Sequence, residues 1–259
     1  MGCGTKKGQI TVFIIVGIIL VSSVILFFVF RSDLILQIPG GKGTSTNAFL
    51  SSCLEDDARA SVNSILKNGG YVESPFYASF KFDKEIEKIS YLCYNQEDYL
   101  PCVNQQPALL SRIEDEIKKS LKDKVENCFS DMTRSFEDEG YEVSSDYNGF
   151  EVILEPKKIL IRTDSDATLT KAEESSRQEN FEITILTRLY ELTNVAQEIV
   201  NKETTNCDFA YRGYELFYPQ FEIEKIQTED SSDIYKIKHE DTGEEFRFAV
   251  RGCVIPPGI

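Results

Sequence analysis

The stretch Lys6-Lys7-Gly8-Gln9-Ile10-Thr11-Val12-Phe13 opens a run that continues to Phe30, KKGQITVFIIVGIILVSSVILFFVF in one-letter form. Two lysines and a glycine lead directly into residues 10–30, which carry no charge. Of those 21 residues, 17 are aliphatic or Phe, the exceptions being Thr11, Gly17, Ser22 and Ser23. As a helix the run is about 31 Å long, close to the roughly 30 Å hydrocarbon core of a bilayer. An uncharged run of this length reads as a membrane span, and the remainder of the chain reads as a domain on one side of it.

A secretory signal has a shorter apolar core followed by a small-residue cleavage site. Here no alanine precedes Ala48, and Phe30 is followed by Arg31-Ser32-Asp33. Val21-Ser22-Ser23 is followed by seven more apolar residues. The run therefore reads as retained. Lys6 and Lys7 favour a cytoplasmic N-terminus by the positive-inside rule, weakly opposed by Arg31. The expected location is the cell membrane, with a single pass and an extracellular C-terminal domain.

The short basic leader ending in Gly8, set against the apolar run, resembles the class III signal of archaeal type IV pilin-like proteins. The resemblance covers residues 5–30, a tenth of the chain. It implies cleavage by a prepilin-type peptidase between Gly8 and Gln9, with Lys6 and Lys7 as the basic leader positions. It implies that Gln9 becomes the mature N-terminus and that the apolar helix stays as anchor and fibre core. Many pilins carry Glu at the fifth mature position, where this chain has Phe13. By this resemblance the protein is a pilin-like or pseudopilin-like surface protein displaying an acidic domain for assembly or adhesion. Its partners would then be the membrane, the peptidase, and pilin-like subunits or a cell-surface component. The alternative is a non-assembling, single-pass anchored binding ectodomain.

Seven cysteines are present. Cys3 lies in the leader and leaves with it. Cys53, Cys93, Cys102, Cys128, Cys207 and Cys253 all follow the apolar run, and an even number outside the cytoplasm favours disulfides. Sequence does not fix the pairing. Local structure groups Cys93 with Cys102 around the turn-like Asn95-Gln96-Glu97-Asp98. It groups Cys53 with Cys128 on two expected helices, and Cys207 with Cys253 around the last strands. Buried free thiols are the alternative. With no CxxC pair and one histidine, zinc-site spacing is absent, and no metal or cofactor is expected.

The 259 residues suffice for a membrane segment and one good-sized domain or two small ones. Hydrophobic residues at 41% and charged ones at 27% describe a globular chain. A net charge of −15 repels nucleic acid and anionic headgroups and keeps an exposed domain soluble; no compensating basic patch is evident and no nucleic-acid partner is expected.

The expected organisation is a leader over 1–8, a membrane or pilin-like helix over 9–38, a flexible linker over 39–48 and an extracytoplasmic α+β domain over 49–259. A subdivision near residue 145 is an option. Pro39-Gly40-Gly41 and the following Gly, Ser and Thr mark the linker. Leu50, Leu54, Ala58, Val62 and Ile65 recur at helical spacing up to Asn68-Gly69-Gly70. Pro107 opens the strongest helix, with Ile113, Ile117, Leu121, Val125, Cys128, Met132 and Phe136 on one face. Glu114–Lys118 and Asp115–Lys119 are expected i,i+4 pairs on its wet side. Strands follow around 141–143, 150–154 and 158–162, then a helix over 178–202 carrying Ile185, Leu189, Leu192, Ala196 and Ile199. Strands at 221–226, 234–238 and 246–250 close the chain, with Asp241-Thr242-Gly243 as a hairpin turn and 256–259 as a loose tail. Strands and helices in runs, without βαβ alternation, indicate α+β.

Candidates for chemistry are few, and the chain does not read as an enzyme. His239 sits in Lys238-His239-Glu240-Asp241 and reads as an exposed turn residue. Asp164 and Asp166 resemble the start of a calcium loop without its glycine and closing Glu. Glu229, Asp230 and Asp233 read as a solvated acidic loop. Tyr211, Tyr214, Phe217 and Tyr218 cluster around Pro219 as a contact patch or as strand packing.

Overall fold

The computed structural model describes residues 45–82 and 85–254. The leader, the apolar run, Cys3, the linker residues 39–44 and the tail 256–259 lie outside the described residues.

Helix α1 (Thr46–Lys67) starts where Ser45, in extended conformation, accepts a hydrogen bond from the Ala48 N–H at 3.2 Å. This N-cap satisfies an otherwise orphaned backbone donor. It also draws Thr46–Ala48, whose composition reads as linker, into the helix. Leu50, Leu54, Ala58, Val62 and Ile65 are buried along one face. Gly69 and Gly70 then take φ of 69° and 93°, which turns the chain, and a Cβ on Gly70 would meet the Leu109 side chain at 2.9 Å.

Strands β1 (Tyr77–Phe82), β2 (Glu85–Tyr94) and β3 (Val103–Asn104) precede the 30-residue helix α2 (Leu109–Asp138). The α2 stripe from Ile113 to Phe136 is buried at every position named from its spacing. Next come β4 (Glu142–Glu155), β5 (Lys158–Lys171), β6 (Glu174–Glu179) and β7 (Glu182–Leu186). Helices α3 (Leu189–Asn206) and α4 (Tyr211–Phe217) lead to β8 (Phe221–Gln227), β9 (Asp233–His239) and β10 (Glu245–Arg251).

The helix expected from 178 begins only at Leu189. Glu182-Ile183-Thr184-Ile185-Leu186 alternates and is β-branched, and the free edge of β5 pairs with it, Ile161 opposite Ile183 and Ile159 opposite Ile185. Asn180, at φ 52°, separates β6 from β7, and Phe181 drops into the core with its N–H on Thr163 Oγ at 3.0 Å. Helix α3 has no side-chain cap of its own. The carboxylate of Glu244 serves instead, accepting from the Arg188 N–H and the Thr187 hydroxyl, each at 2.6 Å. Helix α4, seven residues of the aromatic cluster, lies along β8, where Glu215 accepts the Ile223 N–H at 2.7 Å. An edge strand is thereby covered.

One sheet runs β1-β2-β10-β9-β8, with β3 beside β2 and one parallel pair, β2 with β10. The other is wholly antiparallel, β4-β5-β6, with β7 sharing the β6 edge of β5. Helices α1 and α3 touch both sheets, and one core takes side chains from both sheets and from α1, α2 and α3. Ser145 lies inside β4, paired with Ala167. The fold is α+β, as the runs of strands and helices indicate.

Candidate functional site

The parallel pairing of β2 with β10 brings Tyr94 beside Arg251. Just beyond, two disulfides meet. Cys93–Cys102 closes a loop of sequence separation 9, and Cys207–Cys253, of separation 46, ties the end of α3 to the segment after β10. Gly252 sits at their junction, where a Cβ would stand 2.6 Å from the backbone N of Cys102. The Cys253 N–H donates to Leu100 O at 2.6 Å, and the Tyr99 N–H to Val254 O at 3.0 Å. The Arg251 guanidinium donates to Asn95 O at 2.5 Å, Gln96 O at 3.0 Å and the Asp98 carboxylate at 3.1 Å. The loop so held presents Tyr99, Leu100 and the adjacent Val103 to solvent at 54%, 45% and 63% exposure. Apolar side chains on a covalently braced loop form a display surface whose ordering has little entropy left to lose on contact. The third disulfide, Cys53–Cys128, joins α1 to α2. All six cysteines among the described residues are thus paired, in the groups that local structure marks out. The processing residues Lys6, Lys7, Gly8 and Gln9 lie outside the described residues.

An ion cluster without a sequence signal of its own is built around the buried Glu203. Lys225 Nζ is 3.1 Å from Glu203, 3.2 Å from Asp233 and 3.3 Å from Asp208. Glu203 is buried and also accepts the Tyr235 hydroxyl. Burial opposes the Lys225 charge, but Glu203 and Asp233 prevail and hold its pKa above the ordinary amine value. Burial pushes the Asp233 carboxyl up against the pull of Lys225, and burial followed by Glu203 pushes the Tyr235 phenol up. Charge and hydrogen-bond partners are in place, so the cluster holds α3 to β8 and β9.

His239 is buried, not exposed as its polar neighbours indicate. It ends β9 opposite Phe221, whose ring it meets edge-on at 5.4 Å, and its Nδ1 accepts the Asp241 N–H at 3.3 Å. Strand alternation turns it inward. Asp164 and Asp166 lie in the middle of β5, and Asp166 is 3.4 Å from Arg177, so no loop surrounds them. Asp230 is burdened by burial, yet its bonds from Thr228 and Ser232 hold its pKa below the ordinary carboxyl value. Asp233 begins β9 and leaves that turn for the ion cluster. Among the described residues no group of His, Cys, Asp and Glu is arranged to hold a metal, and no helix is long and apolar enough to cross a membrane.

A second feature lies between α2 and β4, a half-open groove of about 570 Å³, lined by Lys118, Lys119 and Lys122 on one side and Tyr147 to Phe150 on the other. The expected pairs Glu114–Lys118 and Asp115–Lys119 are not formed: Glu114 turns to the Leu154 N–H at 2.8 Å. Neighbouring cations are taken, Arg112 by Glu116 and Lys124 by Asp57, whereas Lys118, Lys119 and Lys122 have no carboxylate within ion-pair distance among the described residues. A β-bulge at Tyr147–Gly149 opens the wall. Burial, then Glu126, pushes the Tyr147 phenol up to about 12. The basic run Lys118-Lys119-Ser120-Leu121-Lys122 is visible in the sequence, and it is masked there by Glu114 and Asp115 at helical spacing, of which Glu114 bonds to β4 instead.

No family model, no curated protein and no solved structure matches this chain.

Proposed function

We propose that the protein is a membrane-anchored, type IV pilin-like or pseudopilin-like surface protein, held by its N-terminal apolar segment and displaying residues 45–259 outside the cell. The observation that carries the reading is the pairing of all six cysteines downstream of the apolar run. Three disulfides belong to an oxidising compartment, and the uncharged 21-residue run with its Lys-Lys-Gly leader supplies the route to one. The braced loop with exposed Tyr99, Leu100 and Val103 is the natural contact surface of such a displayed domain.

A second reading, the non-assembling anchored ectodomain, is favoured by Ser45. There the chain is extended, and α1 begins with its own N-cap. A single helix continuing from the apolar run into the domain, as in long-stemmed pilins, is interrupted at that residue. Topology is tested with a tag after Ile259 in intact cells. Digestion by added protease is expected, and full protection overturns the surface reading. Loss of filaments on deletion of the gene supports assembly, whereas unchanged filaments and monomeric detergent extracts favour the second reading.

A further inference from the structure

The chain carries an excess of carboxylates, at net charge −15, yet three lysines on one helix face share a concavity and are left without acidic partners among the described residues. Solvated surface lysines are ordinary one at a time. Here Lys118, Lys119 and Lys122 stand at i, i+1 and i+4 on the rim of a groove whose size falls within the usual range of ligand sites, about 300–1,000 Å³. The carboxylate that helical spacing would place on Lys118 is instead committed to β4 by the Leu154 N–H.

The ends of the groove carry the opposite sign, with Asp115 at one and Glu126 beside Tyr147 at the other. Acid, three lysines, acid is a poor cradle for a dense polyanion, because every charge beyond the centre would meet a carboxylate. It suits a ligand with an isolated anionic group at the centre and hydroxyls on either side. The ammonium groups take the anion. Asp115 and Glu126 accept hydrogen bonds from hydroxyls, and the exposed amide of Asn148 offers both donor and acceptor. Tyr147, half-buried against Phe129 at 5.3 Å between ring centroids, adds an aromatic surface to the wall. At Gly149 no atom lies within 4 Å of where a Cβ would be, so the wall stays open beside the bulge. A smaller hollow of about 420 Å³ adjoins the groove at Asn148 to Phe150 and reaches Asn180; its Glu151 and Asp164, with Arg162 already paired to Glu151 and Glu182, suit neutral units of a chain whose anionic group sits at the lysines.

We propose that this groove is a binding site for an acidic saccharide, a sugar chain whose carboxylates are spaced by neutral, hydroxyl-bearing units. The groove is built from α2 and β4, and the adjoining hollow from β4, β5 and Asn180, so the proposal does not depend on how the chain is anchored.

The test is equilibrium titration of the full chain in zwitterionic detergent with a hyaluronan hexamer, in which glucuronate alternates with neutral N-acetylglucosamine. A neutral hexose hexamer, short-chain polyphosphate and a single-stranded hexanucleotide are run beside it. The hyaluronan hexamer is expected to bind, the neutral hexamer to bind at least about tenfold more weakly, and the two dense polyanions to bind more weakly than hyaluronan. Raising the salt from about 0.05 to 0.5 M is expected to weaken binding as the charges are screened. Lys119→Gln/Lys122→Gln is expected to lose at least about tenfold in affinity, whereas Lys202→Gln, an exposed lysine on α3, leaves it unchanged. Both variants alter exposed side chains, and unchanged thermal melting verifies their folding. The proposal is overturned if the hyaluronan hexamer binds no better than the neutral hexamer. It is equally overturned if the double variant binds like wild type, or if polyphosphate or the hexanucleotide binds as tightly as the hyaluronan hexamer.

Discussion

The two sheets reach stability by different routes. In the β4–β7 sheet every pairing is antiparallel and near in sequence, within residues 142–186, and no cysteine lies in it. In the other sheet, β2 pairs in parallel with β10, a strand more than 150 residues later, and two of the three disulfides close that same end. Local hairpins involve little loop closure, whereas a distant parallel pair closes a long loop before any contact repays it. Two of the staples and the Arg251 bonds are concentrated where this pair closes, whereas Cys53–Cys128, with a separation of 75, joins α1 to α2. The exposed apolar loop sits beside two of the three disulfides.

That contrast can be broken experimentally. Replacing Cys207 and Cys253 together by Ala is expected to destabilise the domain by about 4 kcal/mol on the chain-entropy account. Amide exchange is expected to accelerate around β2, β10 and the 94–103 loop, while β4 and β5 keep their relative protection. Equal acceleration in both sheets, measured by mass spectrometry, would show that the staple does not serve one sheet in particular. Lys225→Met removes the cation that compensates the buried Glu203 and is expected to cost about 3 kcal/mol in denaturant melts. A change within about 0.5 kcal/mol would remove the Lys225 cluster from the account of stability. Gly252→Ala forces a methyl against the Cys102 backbone and is expected to cost about 2 kcal/mol, with the loss seen again at the loop end.

The smallest effect is one of pH. The depressed Asp230 carboxyl contributes stability that is present above the ordinary carboxyl range and is lost as pH falls through its native value. Asp230→Asn is expected to lower stability at neutral pH and thereby to flatten the acid limb of the stability profile. An unaltered acid limb would remove Asp230 from the account.

How much of this was legible depended on whether one period ruled a segment. The α2 stripe repeats at three and four over its whole length, and its burial follows it. The turn at Asp241-Thr242-Gly243 is marked by a glycine that takes φ 71°. Residues 178–188 obeyed two periods at once: Ile185, Leu189 and Leu192 fit a helix, while Ile183 and Ile185 fit a strand, and the waiting edge of β5 decided between them. Helix α4 is too short to show a period, and it depends on β8 rather than on a cap. The polar neighbours of His239 point to an exposed turn, but the alternation of β9 places it inward. The lysine groove was hidden by Glu114 and Asp115, whose spacing advertises pairs that the fold does not make. Cysteine grouping succeeded because each pair straddles a recognisable local unit, a turn, two helices or a strand set.

The central claim is that the apolar segment stays attached after leader cleavage and carries an oxidised domain out of the cell. It is tested most directly by intact mass and N-terminal sequence of the protein extracted from its native membrane under alkylating, non-reducing conditions. The account predicts a chain that begins at Gln9, lacks Cys3 and takes up no alkylating reagent. A chain beginning at Met1 or Gly2, with alkylated Cys53, Cys93, Cys102, Cys128, Cys207 and Cys253, would contradict it.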